Sequence, residues 1–220
     1  MKHSMIFAGR LLAFAVLVWI GSACGGNISV PAPLLSEGFN GAFPGANWTT
    51  PVTTGAGTAP TIIGTGNPAP GLQFTISAPT GTAATTTTAA FNNPNLTISV
   101  QEAVTSVSAG LIGSSAITIL DATSAVVATA TWDNAAGTVA FTIAGVPALA
   151  ISTLASDGVI HTFKFNVDAS GNASWALDGA TKQTVAPFPA GMLKVQLGAT
   201  FGTGSSWPTF LFDNVMVTSP

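Results

Sequence analysis

This 220-residue chain has little charge of either sign, no tyrosine and a single cysteine. Lysine, arginine, aspartate and glutamate together make up only 6% of it. The absence of a basic cluster excludes the electrostatic footprint that nucleic-acid binding requires, so we expect no nucleic-acid partner. Disordered chains combine low hydrophobicity with high net charge. This chain is 47% hydrophobic, and we therefore expect it to fold.

The first 23 residues have the pattern of a secretory signal peptide. Lys2 and Arg10 precede an uncharged apolar run, Leu11–Ile20, which ends in small residues. The run is too short for a stable membrane-spanning helix, which needs about 20 apolar residues. We expect residues 1–23 to be removed, which would change the formal charge from −3 to −5.

The only cysteine, Cys24, lies at the expected cleavage site. It has no partner for a disulfide within the chain and no nearby histidine to activate it or share a metal. Ser22-Ala23-Cys24 resembles the end of the bacterial lipoprotein lipobox, although Gly21 stands where leucine is usual. The resemblance implies that Cys24 is lipidated and anchors the chain in a membrane. The alternative is ordinary cleavage after Ala23, giving a secreted or periplasmic protein with a free thiol.

The residue after the cysteine bears on location. In lipoproteins of this type an aspartate there would imply retention in the inner membrane, and Gly25 stands in its place. The resemblance therefore implies the outer membrane. Residues 24–36, which include Pro31 and Pro33, have no strong pattern and are expected to form a tether.

From residue 37 to residue 220 the dominant pattern is alternation of apolar and polar residues. Such alternation predicts strands with one buried face. It is clearest at 72–76, 96–101, 126–133, 138–143, 159–168, 173–178 and 193–201. Turn sequences separate several of these runs, including Asn134–Gly137, Asp168–Asn172 and Asp178-Gly179. About a dozen short strands at regular spacing predict one all-β domain, a sandwich of two antiparallel sheets.

Three motifs in this region carry a family resemblance. Residues 157–179 look like the hairpin of laminin G-like domains, with Asp157-Gly158, His161 and a closing Asp178-Gly179. Residues 36–48 and 210–217 look like the first and last strands of concanavalin A-like lectin and glucanase domains. The resemblance implies a jelly-roll sandwich. Members of the family bind glycans, hydrolyse them or serve as structural domains, so the fold alone does not fix the function.

The chain lacks the catalytic pattern of the hydrolases in this family. Glycoside hydrolysis needs two carboxyl groups about 5 to 9.5 Å apart, and the laminarinase-like members carry Glu-x-Asp-x-x-Glu on one strand. Neither Glu37 nor Glu102 has a carboxylate two to five places away, and most aspartates fall in predicted turns. We therefore expect no enzymatic activity. His161 could act as a general base, but its apolar neighbours favour a packed, hydrogen-bonded histidine at the core rim.

The resemblance also suggests a metal. Lectin-like jelly rolls often hold a structural Ca²⁺ where the first and last strands meet, and Ca²⁺ takes six to eight oxygen ligands. Glu37 and Asp213 lie in the two motifs that would meet there, with Asn40 and Asn214 as neutral donors. The alternative is that Asp213 and Asn214 only shape the final strand. No other cofactor is expected.

Tryptophans are the remaining candidates for contact with a sugar. Trp48, Trp132 and Trp175 are predicted to lie in the core. Trp207 lies in a Gly/Ser/Pro loop, where no strand pattern would bury it, and is the predicted ligand contact. A lid over one end of the sandwich is the alternative role. Thr82 and Thr85–Thr88 show no regular ice-binding repeat and are expected to form a solvent-facing edge.

Two functions fit these observations. The first is a lipid-anchored, noncatalytic lectin-like module that binds a glycan or polysaccharide at the bacterial cell envelope. The second is a structural envelope lipoprotein that contacts other proteins. A groove lined by Trp207 and amides would favour the first function, whereas a smooth concave face, or one packed with threonine and alanine, would favour the second. A glycoside hydrolase-like enzyme ranks third.

Overall fold

The computed structural model describes residues 32–64, 70–104, 112–146, 150–185, 187–204 and 207–219. The described residues form strands and turns without a helix. In chain order the strands are β1 Leu35–Glu37, β2 Val52–Gly57, β3 Thr61–Ile63, β4 Gly71–Phe74, β5 Ile76–Thr86, β6 Phe91–Asn93, β7 Leu96–Val104, β8 Gly113–Asp121, β9 Val126–Asp133, β10 Thr138–Ile143, β11 Ala150–Thr153, β12 His161–Val167, β13 Ala173–Leu177, β14 Ala180–Val185, β15 Gly191–Phe201 and β16 Phe210–Thr218.

The strands form two antiparallel sheets of eight strands each. The first sheet has the order β14-β13-β12-β7-β16-β4-β3, with β1 paired to β16. The second has the order β11-β10-β9-β8-β15-β5-β2, with β6 paired to β15. The predicted all-β, two-sheet jelly-roll sandwich is confirmed.

The core lies between the sheets and is rich in aromatic side chains. Trp175 of the first sheet packs 6.1 Å from Phe141 of the second and 5.1 Å from Phe165 of its own sheet, measured between ring centroids. Its indole Nε1 donates a hydrogen bond across the sandwich to the carbonyl of Thr142, at 3.1 Å. Buried aromatic rings each remove about 150–250 Å² from water, so this contact is a major source of stability.

The hairpin turns follow the sequence signals. Asn134–Gly137 joins β9 to β10, and Asp168–Asn172 joins β12 to β13. Asp178 and Gly179 join β13 to β14 with φ angles of 49° and 81°. Positive φ at both central residues is what a two-residue hairpin with the right-handed strand twist requires, and Asp-Gly supplies it.

Two long strands differ from the sequence-based expectation. Thr82 and Thr85–Thr88 were expected at a solvent-facing edge, but β5 lies between β15 and β2, and Thr85 and Thr87 are 1% exposed. Strand β8 had no predicted counterpart. In β5 the small difference in polarity between threonine and alanine hides the alternation, and in β8 the inward Ser115 and the apolar Leu120 next to Ile119 interrupt it.

The described part of the chain forms one compact unit, Pro31–Pro220. Its first strand begins at Leu35, which is 8% exposed and pairs with Val217. Residues 35 and 36, expected to belong to the tether, are therefore part of the sandwich. No helix in the described ranges has the length and apolarity needed to cross a bilayer.

Candidate functional site

The outer face of the second sheet carries three rows of side chains that run across the strands. We call this surface the Thr–Ala face. Paired residues of neighbouring antiparallel strands point to the same side of a sheet, so the register defines the rows. The first row is Thr142, Thr129, Thr118, Gln196 and Thr86; the middle row is Ile151, Ala140, Thr131, Ala116, Gly198, Ala84 and Val52; the third row is Thr153, Thr138, Asp133, Ser114, Thr200, Thr82 and Thr54.

Hydroxyl groups on the Thr–Ala face are joined between strands. The Oγ1 atoms of Thr129 and Thr142 lie 2.6 Å apart, as do those of Thr54 and Thr82. In the first row, Gln196 Nε2 donates to the Oγ1 of Thr86 at 3.1 Å. These bonds hold the two outer rows in place.

The chemistry of the Thr–Ala face is neutral and non-aromatic. Asp133 is the only charged residue in the three rows, and no aromatic residue belongs to them. Four of the seven middle-row residues are alanine or glycine, so the floor is lower than the hydroxyl rows at Ala140, Ala116, Gly198 and Ala84, whereas the exposed side chains of Ile151 and Val52 stand at its two ends. Seven strands about 4.8 Å apart give the middle row a length of roughly 29 Å.

A second group of polar residues lies inside the sandwich. Glu102 faces inward from β7 and is 2% exposed. It is paired with His161 of β12 on one side and Phe212 of β16 on the other. Ser115 of the second sheet donates its hydroxyl hydrogen bond to Glu102 Oε1, which links the two sheets through the core.

Burial controls the ionisation of Glu102. Desolvation raises the pKa of this carboxyl group to about 8, and the hydrogen bond from Ser115 opposes the rise. At neutral pH Glu102 is therefore a neutral acid. It is enclosed by the core rather than placed at a surface, so it has no route to a substrate.

His161 is packed and hydrogen-bonded. Its imidazole lies edge-on to Trp132, with centroids 5.5 Å apart. Its Nδ1 is 2.8 Å from Asp178 Oδ2, while Asp178 Oδ1 accepts the backbone N–H of Thr162. His161 Nε2 is buried and makes no hydrogen bond to the described residues. The carboxylate of Asp178 thus fixes the ring at its Nδ1 edge, and the Nε2 edge is buried. This arrangement agrees with the expectation of a packed, hydrogen-bonded histidine.

The predicted calcium residues come together only in part. The side chains of Asn40 and Asn214 both approach Gly38, so the neutral donors are neighbours. Glu37 Oε1 accepts the N–H of Phe39 at 2.8 Å, and its Oε2 accepts Asn47 Nδ2 at 3.1 Å.

Asp213, the second predicted carboxylate, is 2% exposed and pairs with Gln101 on the outer side of the first sheet. No group of three or more histidine, cysteine or acidic residues suited to a metal occurs among the described residues. The Ca²⁺ site stays a prediction.

Trp207 packs against the core near the start of β8. It is half-buried and donates its Nε1 hydrogen to the carbonyl of Gly202 at 3.0 Å. The next residue, Pro208, fits tightly over Gly113 at the start of β8. This packing favours the role of a lid, and both roles of Trp207, lid and ligand contact, stay predictions. Trp48, Trp132 and Trp175 are at most 2% exposed, as predicted. Cys24 lies outside the described residues.

Sequence reasoning missed the Thr–Ala face and the Glu102 cluster for different reasons. The rows join residues from seven strands, and only the register shows that they are neighbours. A signal for Glu102 was present, because it continues the inward series of Leu96, Ile98 and Val100. The same alternation that buries those residues buries the carboxyl group.

Comparisons with known proteins support the fold. The chain matches no protein-family model and no curated protein sequence. The carbohydrate recognition domain of Emp47p has a TM-score of 0.60 and 10% identity, over 84% of this chain and 94% of that domain. The β-glucanase of Bacillus licheniformis has a TM-score of 0.60 and 14% identity, over 87% and 100%. An alginate lyase from Corynebacterium has a TM-score of 0.56 and 13% identity, over 80% and 95%. The fold is therefore concanavalin A-like.

The first prediction concerns Glu102→Gln and pH. The unfolded carboxyl titrates near 4.5 and the folded one near 8. Below pH 4.5 both states are protonated; between these values only the unfolded state ionises, so wild-type stability falls as pH rises and levels off above 8. Between these two pH limits the free energy of unfolding of the wild type falls by about 4–5 kcal/mol in total. Glutamine does not titrate, so the stability advantage of the variant should grow by several kcal/mol from pH 5 to pH 9 in urea unfolding.

Ser115→Ala provides the second arm of this experiment. This substitution removes the hydroxyl group whose hydrogen bond lowers the pKa of Glu102. The pKa of Glu102 should therefore rise further, and the free energy of unfolding should keep falling to a higher pH than in the wild type. Equal pH dependence in wild type and Glu102→Gln would show that Glu102 is not a buried neutral acid.

The second prediction concerns Trp207. Trp207→Ala should lower the free energy of unfolding by about 2–3 kcal/mol, somewhat less than for a fully buried tryptophan. Trp207→Phe retains a packed ring and loses the hydrogen bond to Gly202, so it should cost about 1 kcal/mol. Urea unfolding of both variants measures this. Unchanged stability in Trp207→Ala would contradict the lid geometry.

Proposed function

We propose that this chain is a lipid-anchored, noncatalytic glycan-binding module of a bacterial cell envelope, and that the Thr–Ala face binds a neutral polysaccharide. The observation that carries the proposal is the set of three cross-strand rows. Threonine hydroxyls and the Gln196 amide offer donors and acceptors to sugar hydroxyls. Threonine methyl groups and alanines offer apolar contact to the C–H faces of sugar rings.

The shape and charge of the Thr–Ala face narrow the ligand. The small residues Ala140, Ala116, Gly198 and Ala84 lie between the two hydroxyl rows over the five neighbouring strands from β10 to β5, which suits an extended chain lying across the strands. Five strands about 4.8 Å apart span roughly 19 Å, which bounds the length of chain in contact with both hydroxyl rows. Asp133 is the one charged residue of the three rows, so a neutral polymer fits them better than an acidic one.

The fold neighbours support this class of ligand. One is named a carbohydrate recognition domain, one a β-glucanase and one an alginate lyase. At 10–14% identity these likenesses concern the fold. Binding of a polysaccharide by the present chain is our inference from the Thr–Ala face together with these names.

The noncatalytic part of the proposal is supported by the carboxyl groups of the described residues. Hydrolysis of a glycosidic bond uses a pair of carboxyl groups on either side of it. Asp133 is the single carboxylate in the three rows, and it is already turned to the backbone N–H of Ala136 at 2.9 Å. Glu102, whose raised pKa would suit a general acid, lies in the core.

A structural or assembly role is the second candidate, and the criterion set out from the sequence favours it, because the face is packed with threonine and alanine and Trp207 does not belong to its three rows. Sugar-binding sites commonly use exposed aromatic rings, and the three rows contain none. A broad, neutral surface of threonine and alanine also suits contact with the flat surface of another protein. The binding experiment below separates the two roles.

The anchor completes the proposal. Ten residues, and therefore eleven Cα–Cα steps, separate Cys24 from Leu35, the start of β1. Fully extended, they reach at most about 36–40 Å. A diacyl or triacyl anchor at Cys24 would hold the sandwich within that distance of the membrane, since each buried methylene contributes about 0.8 kcal/mol.

The third prediction tests the Thr–Ala face. Residues 27–220 should bind one or more insoluble neutral polysaccharides in a pull-down panel. Ala140→Arg places a large charged side chain in the middle row and should weaken binding at least tenfold, by steric block and loss of flatness. Ala176→Arg is the matched control, because Ala176 is also a half-buried alanine and lies on the outer face of the first sheet.

Equal loss in both arginine variants, in proteins shown to be folded, would remove the Thr–Ala face as the binding surface. A folded wild type that binds no polysaccharide would favour the assembly role. Including Trp207→Ala and Trp207→Phe in the same panel tests the ligand-contact prediction for Trp207, because only a contact role lowers affinity in proportion to the loss of ring surface.

The fourth prediction concerns the anchor. In a bacterial host, the full chain should incorporate radiolabelled palmitate, and Cys24→Ala should not, because the acyl groups are attached at that residue. The variant should also leave the membrane fraction. Equal labelling of both proteins, or none in wild type, would contradict lipidation and favour ordinary cleavage after Ala23.

A further inference from the structure

A recess separate from the Thr–Ala rows lies in the loop that follows β1. We call it the Glu37 pocket. It has a volume of about 210 Å³. Glu37, Phe39, Phe43, Pro44 and Ile62 line it together with the small residues Gly41, Ala42, Gly45 and Ala46. Phe39 is 1% exposed, so the half-buried Phe43 is the aromatic side chain with surface at the recess, beside aliphatic groups, backbone and one carboxylate.

The carboxylate of Glu37 is not neutralised by the chain. Its hydrogen-bond partners, the N–H of Phe39 and the amide of Asn47, are both neutral. Beyond the leader the sequence contains only three basic side chains besides His161, namely Lys164, Lys182 and Lys194. None of them lines the Glu37 pocket, and Glu37 forms no ion pair with any described residue. The recess thus carries a net negative charge.

The loop is built to keep this recess open. Phe39 holds a positive φ of 52° at a non-glycine position, a conformation that costs energy and often occurs at binding sites. Phe39 then packs against Phe43 and Trp48, with ring centroids 6.1 and 5.9 Å apart. A side chain added at Gly41 would meet nothing within 4 Å. Small residues and a fixed aromatic pair therefore leave space beside the carboxylate.

The geometry points to the Glu37 pocket as a binding site for a small organic cation, an ammonium group carried on a compact skeleton. The Glu37 carboxylate attracts the positive charge, and the ring of Phe43 offers an aromatic surface to a cation that sheds part of its water. A hexosamine-sized molecule suits the volume. Ca²⁺ shares the positive charge but requires six to eight oxygen ligands, and the phenylalanine, proline and isoleucine side chains provide none.

This inference is independent of the proposed function. The Thr–Ala face is a neutral surface on the second sheet, whereas the Glu37 pocket is negatively charged and is lined by residues of β1, β3 and the loop between β1 and β2. A failure to bind polysaccharide would not contradict cation binding in the Glu37 pocket. A failure to bind cations would not contradict polysaccharide binding on the Thr–Ala face.

The test uses matched probes and ¹⁵N-labelled residues 27–220. Glucosamine, glucose and tetramethylammonium are titrated separately, each to tens of millimolar, at constant ionic strength. Glucosamine and tetramethylammonium should shift the amide resonances of residues 38–47, while glucose, which has the same ring without the charge, should not. CaCl₂ forms a fourth arm.

Two variants probe the charge and the space. Glu37→Gln retains an acceptor for the Phe39 N–H and removes the charge; Gly41→Leu fills the recess at a position with free space and no positive φ. Each should weaken glucosamine binding at least tenfold. Gly64→Leu is the matched control, because a side chain there also meets nothing within 4 Å and Gly64 does not line the pocket. It should bind as wild type does.

Several results would overturn the inference. Equal shifts with glucose would mean that the charge is not recognised. Full binding in folded Gly41→Leu would place the site elsewhere. Shifts of residues 38–47 with CaCl₂ alone would replace the organic cation by a metal. Absence of any shift with both ammonium probes would leave the pocket without the proposed ligand.

Discussion

The contact between the inner faces of the two sheets determines what every other surface can be. Strand alternation ties each inward side chain to an outward neighbour, so burial of Val139, Phe141 and Ile143 forces Thr138, Ala140 and Thr142 to the outside. A slip of one residue would exchange the two sets. The core therefore sets the register, and the register in turn aligns the threonines of separate strands into rows.

The same constraint explains the least expected residue of the core. Glu102 occupies an inward position of β7 because its neighbours in the alternation are inward, and it is tolerated there as a neutral acid hydrogen-bonded to Ser115. A buried carboxyl group costs stability once the unfolded state ionises. The bond joins one sheet to the other at a defined pair of residues, so it also fixes how the sheets are aligned.

The sequence allowed the fold class to be predicted because the aromatic strands are strongly alternating and the Asp-Gly and Asn-rich turns have a local cause. It did not reveal β8 or the interior place of β5, since alanine, threonine and serine differ too little in polarity to mark a buried face. The pairing of His161 with Asp178 was also hidden. It depends on the turn after β13 folding back beside β12, a contact between residues 17 positions apart. Both candidate sites were likewise hidden in the sequence. Strand register creates the Thr–Ala face, and loop packing creates the Glu37 pocket.

The hydrogen-bond partners and burial of the carboxyl groups bear on both proposed binding sites. All six aspartates accept a backbone N–H: Asp121, Asp133, Asp157, Asp168, Asp178 and Asp213. These bonds shape turns and strand ends. The pKa of Asp121 is lowered first by the hydroxyl group of Thr123 and then by the backbone N–H of Ala125, and the pKa of Asp168 is lowered by the backbone N–H and the side chain of Asn172. Glu102 is neutral within the core. Glu37 differs, because it lines a recess beside Phe43 and forms no ion pair with a described residue. Seven of the eight acidic side chains of this weakly charged chain are thus engaged in turns, strand ends or the core, and Glu37 is the one that lines a recess.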